Sequence, residues 1–129
     1  KIGVLVAGAA AQRFMTKLDQ EQEVLVKIAN IANQLYAMES AVIRTQKAIE
    51  RAGAEKATQK ILYTEIFCQE AFAKIEAEAK DILLAAVEGD NARMMLSALR
   101  KLTRNNPYNL IPKKREAAVK LIEAERYVV

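Results

Sequence analysis

No histidine occurs in this sequence, and that absence removes a large share of enzyme chemistry from the chain taken alone. A Ser-His-Asp triad, a histidine metal site and a histidine general base would each have to be supplied from elsewhere. Cysteine occurs once, at Cys68, so no internal disulfide can form; this fits a reducing, cytoplasmic setting. Glycine and proline total only six, too few for a protein built on many tight turns. Nothing matches G-x-G-x-x-G or G-x-x-x-x-G-K-[ST], so no glycine-rich phosphate loop is present. The longest apolar run, Ile2 to Ala11, is about ten residues, against the roughly twenty a membrane-spanning helix needs. It also lacks the basic flank and cleavage context of a signal peptide.

What is present favours helices. Apolar residues make up 52% and charged residues 28% of the 129, a globular balance dominated by Ala, Glu, Lys, Leu, Ile and Gln. Ile2 to about Lys17 is small and apolar, with Gly3 and Gly8, and predicts a tightly packed helix. Asp19, with Gln22 three residues on, reads as the capping box of a second helix running to about Ala52. Val24, Ile28, Ile31, Leu35, Met38, Val42, Thr45 and Ile49 step by four and three, the spacing of a bundle seam. Leu25, Ala32, Tyr36 and Ile43 are expected to widen that seam into a core face. Gly53 stops this helix, and a third runs from about Ala54 to Val87 with its seam on Ile61, Thr64, Cys68, Phe72, Ile75, Ala79, Ile82 and Ala86. Two helices of this length joined by a short link imply an antiparallel hairpin, each arm roughly 45–50 Å long. Gly89 ends the third helix and Asp90 is expected to cap a fourth, Asn91 to Thr103, which Asn105, Asn106 and Pro107 break. Pro112 opens a fifth, to about Arg126.

The charge is unevenly placed. Residues 91–115 hold seven basic side chains (Arg93, Arg100, Lys101, Arg104, Lys113, Lys114, Arg115) and no acidic one, while residues 1–90 hold 11 basic and 13 acidic. The fourth helix pairs Arg93, Arg100, Lys101 and Arg104 with an apolar set of Met94, Met95, Leu96, Leu99 and Leu102. Such a segment suits an anionic membrane surface, an acidic partner or a phosphate-bearing ligand; equally, it suits a helix that completes the core while its charges are solvated. Nucleic acid is not expected as a partner, because Tyr108 is the one aromatic in the basic stretch and no reading motif is present.

Catalytic, cofactor-binding and metal residues are not expected in the chain. Cys68 lies on an apolar seam and reads as core, not nucleophile. Glu65, Glu70, Glu76 and Glu78 share one helix, but a di-iron bundle site would use Glu-x-x-His. They read instead as a solvated face or as i,i+4 partners, Glu70 with Lys74 and Glu76 with Lys80. Tyr36 and Tyr63 are expected at the core margin, each hydroxyl meeting a polar neighbour.

Several runs carry a family resemblance. Glu21-Gln22-Glu23-Val24-Leu25, Leu35-Tyr36-Ala37-Met38 with Arg44, and Phe67-Cys68-Gln69-Glu70-Ala71 resemble the C-terminal extension of acyl-CoA dehydrogenases of the very-long-chain type. Ser97-Ala98-Leu99-Arg100-Lys101-Leu102-Thr103-Arg104, followed by Pro107, and the tail from Pro112 to Val129 resemble the bacterial members. The resemblance implies a parent flavoprotein of fatty acid beta-oxidation that uses FAD to convert acyl-CoA thioesters to 2-enoyl-CoA. It places the flavin, the acyl-CoA pocket and the catalytic glutamate in an upstream core, so no such residue is transferred to this chain. It further implies that the extension packs against that core within a homo-oligomer, and that the mitochondrial members touch the inner membrane. Arg93 to Arg104 sits at the matching place in the order of helices.

The sequence therefore predicts an all-α, up-down helical bundle of four to five helices with two long antiparallel helices at its centre. Residues 1–129 are expected to form a single helical domain. Because Lys1 leads directly into helix, the chain is expected to be a piece of a longer one or a processed one. Its expected role is structural, beside an upstream dehydrogenase core, with no activity alone. Arg93, Arg100, Lys101 and Arg104 are the candidate contact to a membrane or partner, which would make the protein cytoplasmic and peripheral at the membrane. An independent helical interaction module without an enzyme core is the alternative.

Overall fold

The computed structural model describes residues 1–106 and 108–126; Pro107, expected to break the fourth helix, and Tyr127 to Val129, the end of the expected tail, lie outside the described residues. The elements are α1 (Ile2–Phe14), a 3-10 helix (Met15–Gln20), α2 (Gln22–Ala52), α3 (Thr58–Ala86), α4 (Gly89–Leu102) and α5 (Leu110–Ala124). No strand occurs among the described residues, and the five α-helices follow the order that the periodicity predicts.

The ends differ from expectation in instructive ways. α1 stops at Phe14, where Met15 takes φ 48° and ψ −118°, and a 3-10 helix carries the chain onward in place of the expected helix to Lys17. Asp19 lies inside that 3-10 helix and does not cap α2; the Leu25 N–H instead donates to the Glu21 carbonyl at 3.0 Å. Gly53 does end α2, with φ 82°, a left-handed backbone that L side chains disfavour. Turn residues 54–57 then precede α3, so α3 starts four residues later than the apolar pattern alone predicts. Glu88, not Asp90, is the N-cap residue of α4, and Asp90 lies in its first turn. α5 is capped by Asn109, whose Oδ1 accepts from the Ile111 N–H at 3.0 Å. Pro112 is then the third residue, where its missing N–H costs nothing.

Contacts divide the chain into two compact units, Lys1–Leu35 with Phe72–Asn105, and Tyr36–Ala71 with Asn106–Val129. The first unit contains α1, the start of α2, the end of α3 and α4. Its core is Val6, Ala9 and Ala10 of α1, Val24 and Ile31 of α2, Ile75, Ala79, Ile82, Leu83 and Ala86 of α3, and Leu99 of α4. Burying each of the larger side chains contributes about 1.5–3 kcal/mol. A Cβ on Gly3 would sit 3.9 Å from Ile31 Cγ2, an ordinary contact, so the packing of α1 on α2 does not require glycine at that position. α2 and α3 run antiparallel here, because Lys27 reaches Asp81 while Asn30 reaches Glu78.

The second unit contains the end of α2, the start of α3 and α5. Its core is thinner and more polar: Ala57, Leu62, Ala71 and Ala117 are buried together with Thr45 and Gln59. Thr45 Oγ1 and Thr64 Oγ1 hydrogen-bond across α2 and α3 at 2.6 Å. Among the described residues the Gln59 amide and the Tyr63 hydroxyl are buried without a hydrogen-bond partner, contrary to the expectation for Tyr63.

The widened face expected on α2 is not core. Leu25, Tyr36 and Ile43 are 37%, 74% and 43% exposed, and Ala32 is exposed as well. Each residue advances about 100° around a helix, so these positions lie well round from the buried stripe of Val24, Ile31 and Thr45.

Candidate functional site

The four candidate contact residues all lie in the first unit, on or just beyond α4. Arg93, Arg100, Lys101 and Arg104 are exposed. Arg93 reaches the Asp90 carboxylate at 3.4 Å within the first turn. Arg93 and Arg100 are seven residues apart and share a face, whereas Lys101 lies about 100° further round. Arg104 is past the end of α4 and is therefore not a helix residue. Between Lys101 and Arg104, Thr103 is only 5% exposed and donates through its hydroxyl to Glu76 Oε1 at 3.1 Å. That bond fixes the end of α4 to α3, and the basic residues project on either side of it. On the apolar side of α4, Leu99 is buried and Met95 and Leu96 are half-buried, while Met94 remains 61% exposed.

The rest of the basic segment belongs to the second unit and is used differently. Lys113 pairs with Glu65 and Lys114 pairs with Glu70, tying α5 to α3. The hydrogen bond it donates to Glu65 holds the Lys113 ammonium above its ordinary pKa, and Lys113 Nζ also stands 4.8 Å from the centre of the Tyr108 ring. The stretch of seven cations is thus two sets, one exposed on the first unit and one partly neutralised inside the second. Glu70 and Glu76, read from the sequence as i,i+4 partners of lysines, are engaged by Lys114 and Thr103.

The titratable groups that could be mistaken for chemistry have structural partners. In the first unit, Lys27 Nζ lies 2.9 Å from both Glu78 Oε2 and Asp81 Oδ2. The hydrogen bond that Lys27 donates to Glu78, with the one it donates to Asp81, pushes its pKa up to about 12. The same bond from Lys27, aided by Asn30, holds Glu78 below the usual carboxylate range. Cys68 is half-buried, and burial raises its thiol pKa, which keeps it protonated at neutral pH. Among the described residues no group of three or more Cys, Asp or Glu side chains could hold a metal ion. No described helix is long and apolar enough to cross a membrane.

One cluster was not visible in the running charge of the sequence. In the second unit a groove of about 430 Å³ is lined by Arg44, Lys47 and Arg51 of α2, by Lys56 of the turn and Lys60 of α3, and by Ala48, Ala52 and Ala57. The sequence hides it because residues 1–90 are acidic on balance. The signal that could have found it is Arg44, Lys47 and Arg51 on one helix face, followed directly by the Gly53 turn. A second groove, in the first unit between α1 and α4, holds about 520 Å³ and is lined by Ala9, Gln12, Ala86, Met94 and Met95 beside the 2.8 Å Arg13–Glu88 ion pair.

The sequence and the fold are shared with known proteins. Residues 1–101 match the family model of the acyl-CoA dehydrogenase C-terminal domain. The chain belongs to that family. Over all 129 residues it is 62% identical to a protein of Bacillus subtilis (strain 168) described as a probable acyl-CoA dehydrogenase, of which it covers 22%. It also matches the crystal structure of an acyl-CoA dehydrogenase complexed with FAD from Bacillus anthracis, with a TM-score of 0.96 and 63% identity. That match covers 99% of this chain and 22% of the other, so this acyl-CoA dehydrogenase C-terminal domain spans about a fifth of each relative.

Neither of the two grooves described above offers a flavin an enclosed site: both lie open on the surface, and neither encloses a flat apolar slot for an isoalloxazine ring. The buried unpartnered polar atoms, those of Gln59 and Tyr63, lie among the packed side chains of the second unit.

Proposed function

We propose that residues 1–129 act as one structural helical domain of an FAD-dependent acyl-CoA dehydrogenase of fatty acid beta-oxidation, of the very-long-chain type. The catalytic core lies upstream in the same polypeptide and holds the FAD; this domain supports that core and the homo-oligomer it forms. The observation that carries the reading is the full-length match, at a TM-score of 0.96, to a fifth of an acyl-CoA dehydrogenase complexed with FAD. A second supports it: large apolar side chains stay exposed, including Leu25 and Val26 in the first unit and Tyr36 and Ile43 in the second. Patches of this kind mark surfaces that meet other protein. Since α2 and α3 each contribute to both compact units, neither unit is a continuous stretch of chain, which favours one domain over two.

The test is to compare the whole polypeptide with a version lacking residues 1–129. The reading expects the shortened protein to keep its flavin site but to lose thermal stability and its native oligomeric state. Unchanged stability and assembly would contradict a supporting role and favour an independent interaction module.

Arg93, Arg100, Lys101 and Arg104 are the residues through which the domain touches an anionic membrane at its periphery, in the cytoplasm. All four are exposed, Arg100, Lys101 and Arg104 within three residues of the anchored Thr103, and each cation near such a surface contributes at most about 1 kcal/mol. Co-sedimentation with anionic and neutral vesicles tests this. Salt-sensitive binding to anionic vesicles should disappear when Arg100, Lys101 and Arg104 are changed to Gln; no binding by the wild type at low salt would rule the contact out.

A further inference from the structure

Five cations line the groove at the α2–α3 turn, and the residues lining it include no acid. Arg44, Lys47 and Arg51 follow i, i+3, i+7 spacing and so share one face of α2. Gly53 reverses the chain with φ 82°, which brings Lys56 and Lys60 to the other side. The alanines between them are small and leave the groove open to a volume of about 430 Å³. Some cations elsewhere in the chain pair with acids: Arg13 meets Glu88, Lys27 meets Glu78, Lys113 meets Glu65 and Lys120 meets Glu116. None of the five groove cations is in an ion pair with a described residue. Five like charges around one concavity repel one another, and an anion placed among them relieves that repulsion. Two arginines supply planar forks suited to bidentate contact with phosphate oxygens, and the lysines add mobile point charges. The groove also borders the first turn of α3, whose dipole favours negative charge.

We propose that this groove binds the clustered phosphate groups of an anionic ligand, as in a diphosphate or a phosphoester-rich surface. The proposal does not rest on the dehydrogenase reading. Its volume falls in the range of small-molecule sites, about 300–1,000 Å³, and accommodates a diphosphate with part of the group attached to it. Soluble diphosphates and lipid headgroups offer the same chemistry, and the experiment separates them.

The full polypeptide containing residues 1–129 is titrated calorimetrically with inorganic pyrophosphate at low and moderate salt. In parallel it is sedimented with phosphatidylglycerol vesicles. The variants are Arg44→Gln/Arg51→Gln/Lys56→Gln in the groove and Arg100→Gln/Lys101→Gln on α4. Saturable pyrophosphate binding that weakens with salt, drops at least about tenfold in the groove variant and survives in the α4 variant supports the site with a soluble ligand. Vesicle binding lost in the groove variant, without saturable pyrophosphate binding, supports the site with a lipid source. Binding of neither probe, or binding that the groove variant leaves unchanged, overturns the proposal. Thermal melting keeps the test decisive: pyrophosphate should raise the Tm of the wild type and not that of the groove variant. Because the variant removes like-charge repulsion, it should fold; equal Tm shifts in both proteins would also overturn the proposal.

Discussion

At the scale of single residues, the first unit is held by a charge cluster whose pH dependence has a definite sign. Glu78 is held below its ordinary 4.5 by Lys27, so its contribution to stability is complete above that value and is lost as pH falls through its lower folded value. Lys27 is pushed from 10.5 to about 12, so its contribution is complete below 10.5 and lost as pH rises through about 12. Glu78→Gln should therefore lower Tm at pH 7 and flatten the acid limb of the stability profile, measured by thermal melting from pH 7 to 2. An unchanged acid limb would show that the pairing is not formed in solution. In the second unit, burial without a partner makes the Tyr63 hydroxyl costly. Tyr63→Phe should be neutral or stabilising by about 1 kcal/mol in urea denaturation, whereas Thr45→Val should cost about 1–2 kcal/mol by stranding the Thr64 hydroxyl.

At the scale of elements, the backbone itself gives two opposite expectations. Gly53 holds φ 82° with open space around its Cα, so Gly53→Ala should cost about 1 kcal/mol through backbone strain alone. Met15 holds φ 48° and ψ −118° with its side chain 75% exposed, so Met15→Gly should leave stability unchanged or raise it. Both are read from denaturant midpoints. These two positions also divide what was legible in the sequence from what was not. Gly53 announces its turn because only glycine adopts that backbone readily. Met15 announces nothing, since the helix-favouring run around it continues to Lys17 while the chain's path into α2 breaks it. The five helices were legible because four-and-three spacing follows directly from the helical period. The caps of α2, α4 and α5 were not, because Asp19, Asp90 and Pro112 each satisfy a capping pattern one to three residues from where the backbone actually turns.

At the scale of the whole molecule, apolar periodicity overstated the core. Leu25, Tyr36 and Ile43 are apolar neighbours of the α2 stripe and were expected to widen it, yet all three face solvent in the 129-residue chain. Spacing reports that a residue is suited to burial, not which neighbour buries it. The basic groove shows the converse: its five cations are separated in sequence by Glu50 and Glu55, and only the reversal at Gly53 gathers them. The exposed charges of α4 were legible as residues, but the division of the basic segment between two units depends on the pairing of Lys113 and Lys114 with α3.

On the proposed reading this domain serves a flavin enzyme without carrying its chemistry. The most direct measurement is the visible absorption spectrum of the full polypeptide and of the 129-residue chain, each before and after addition of an acyl-CoA. The expected result is flavin absorbance that acyl-CoA bleaches in the full polypeptide, and a colourless 129-residue chain. Flavin bound by the 129-residue chain, or a full polypeptide that neither holds flavin nor responds to acyl-CoA, would contradict that reading.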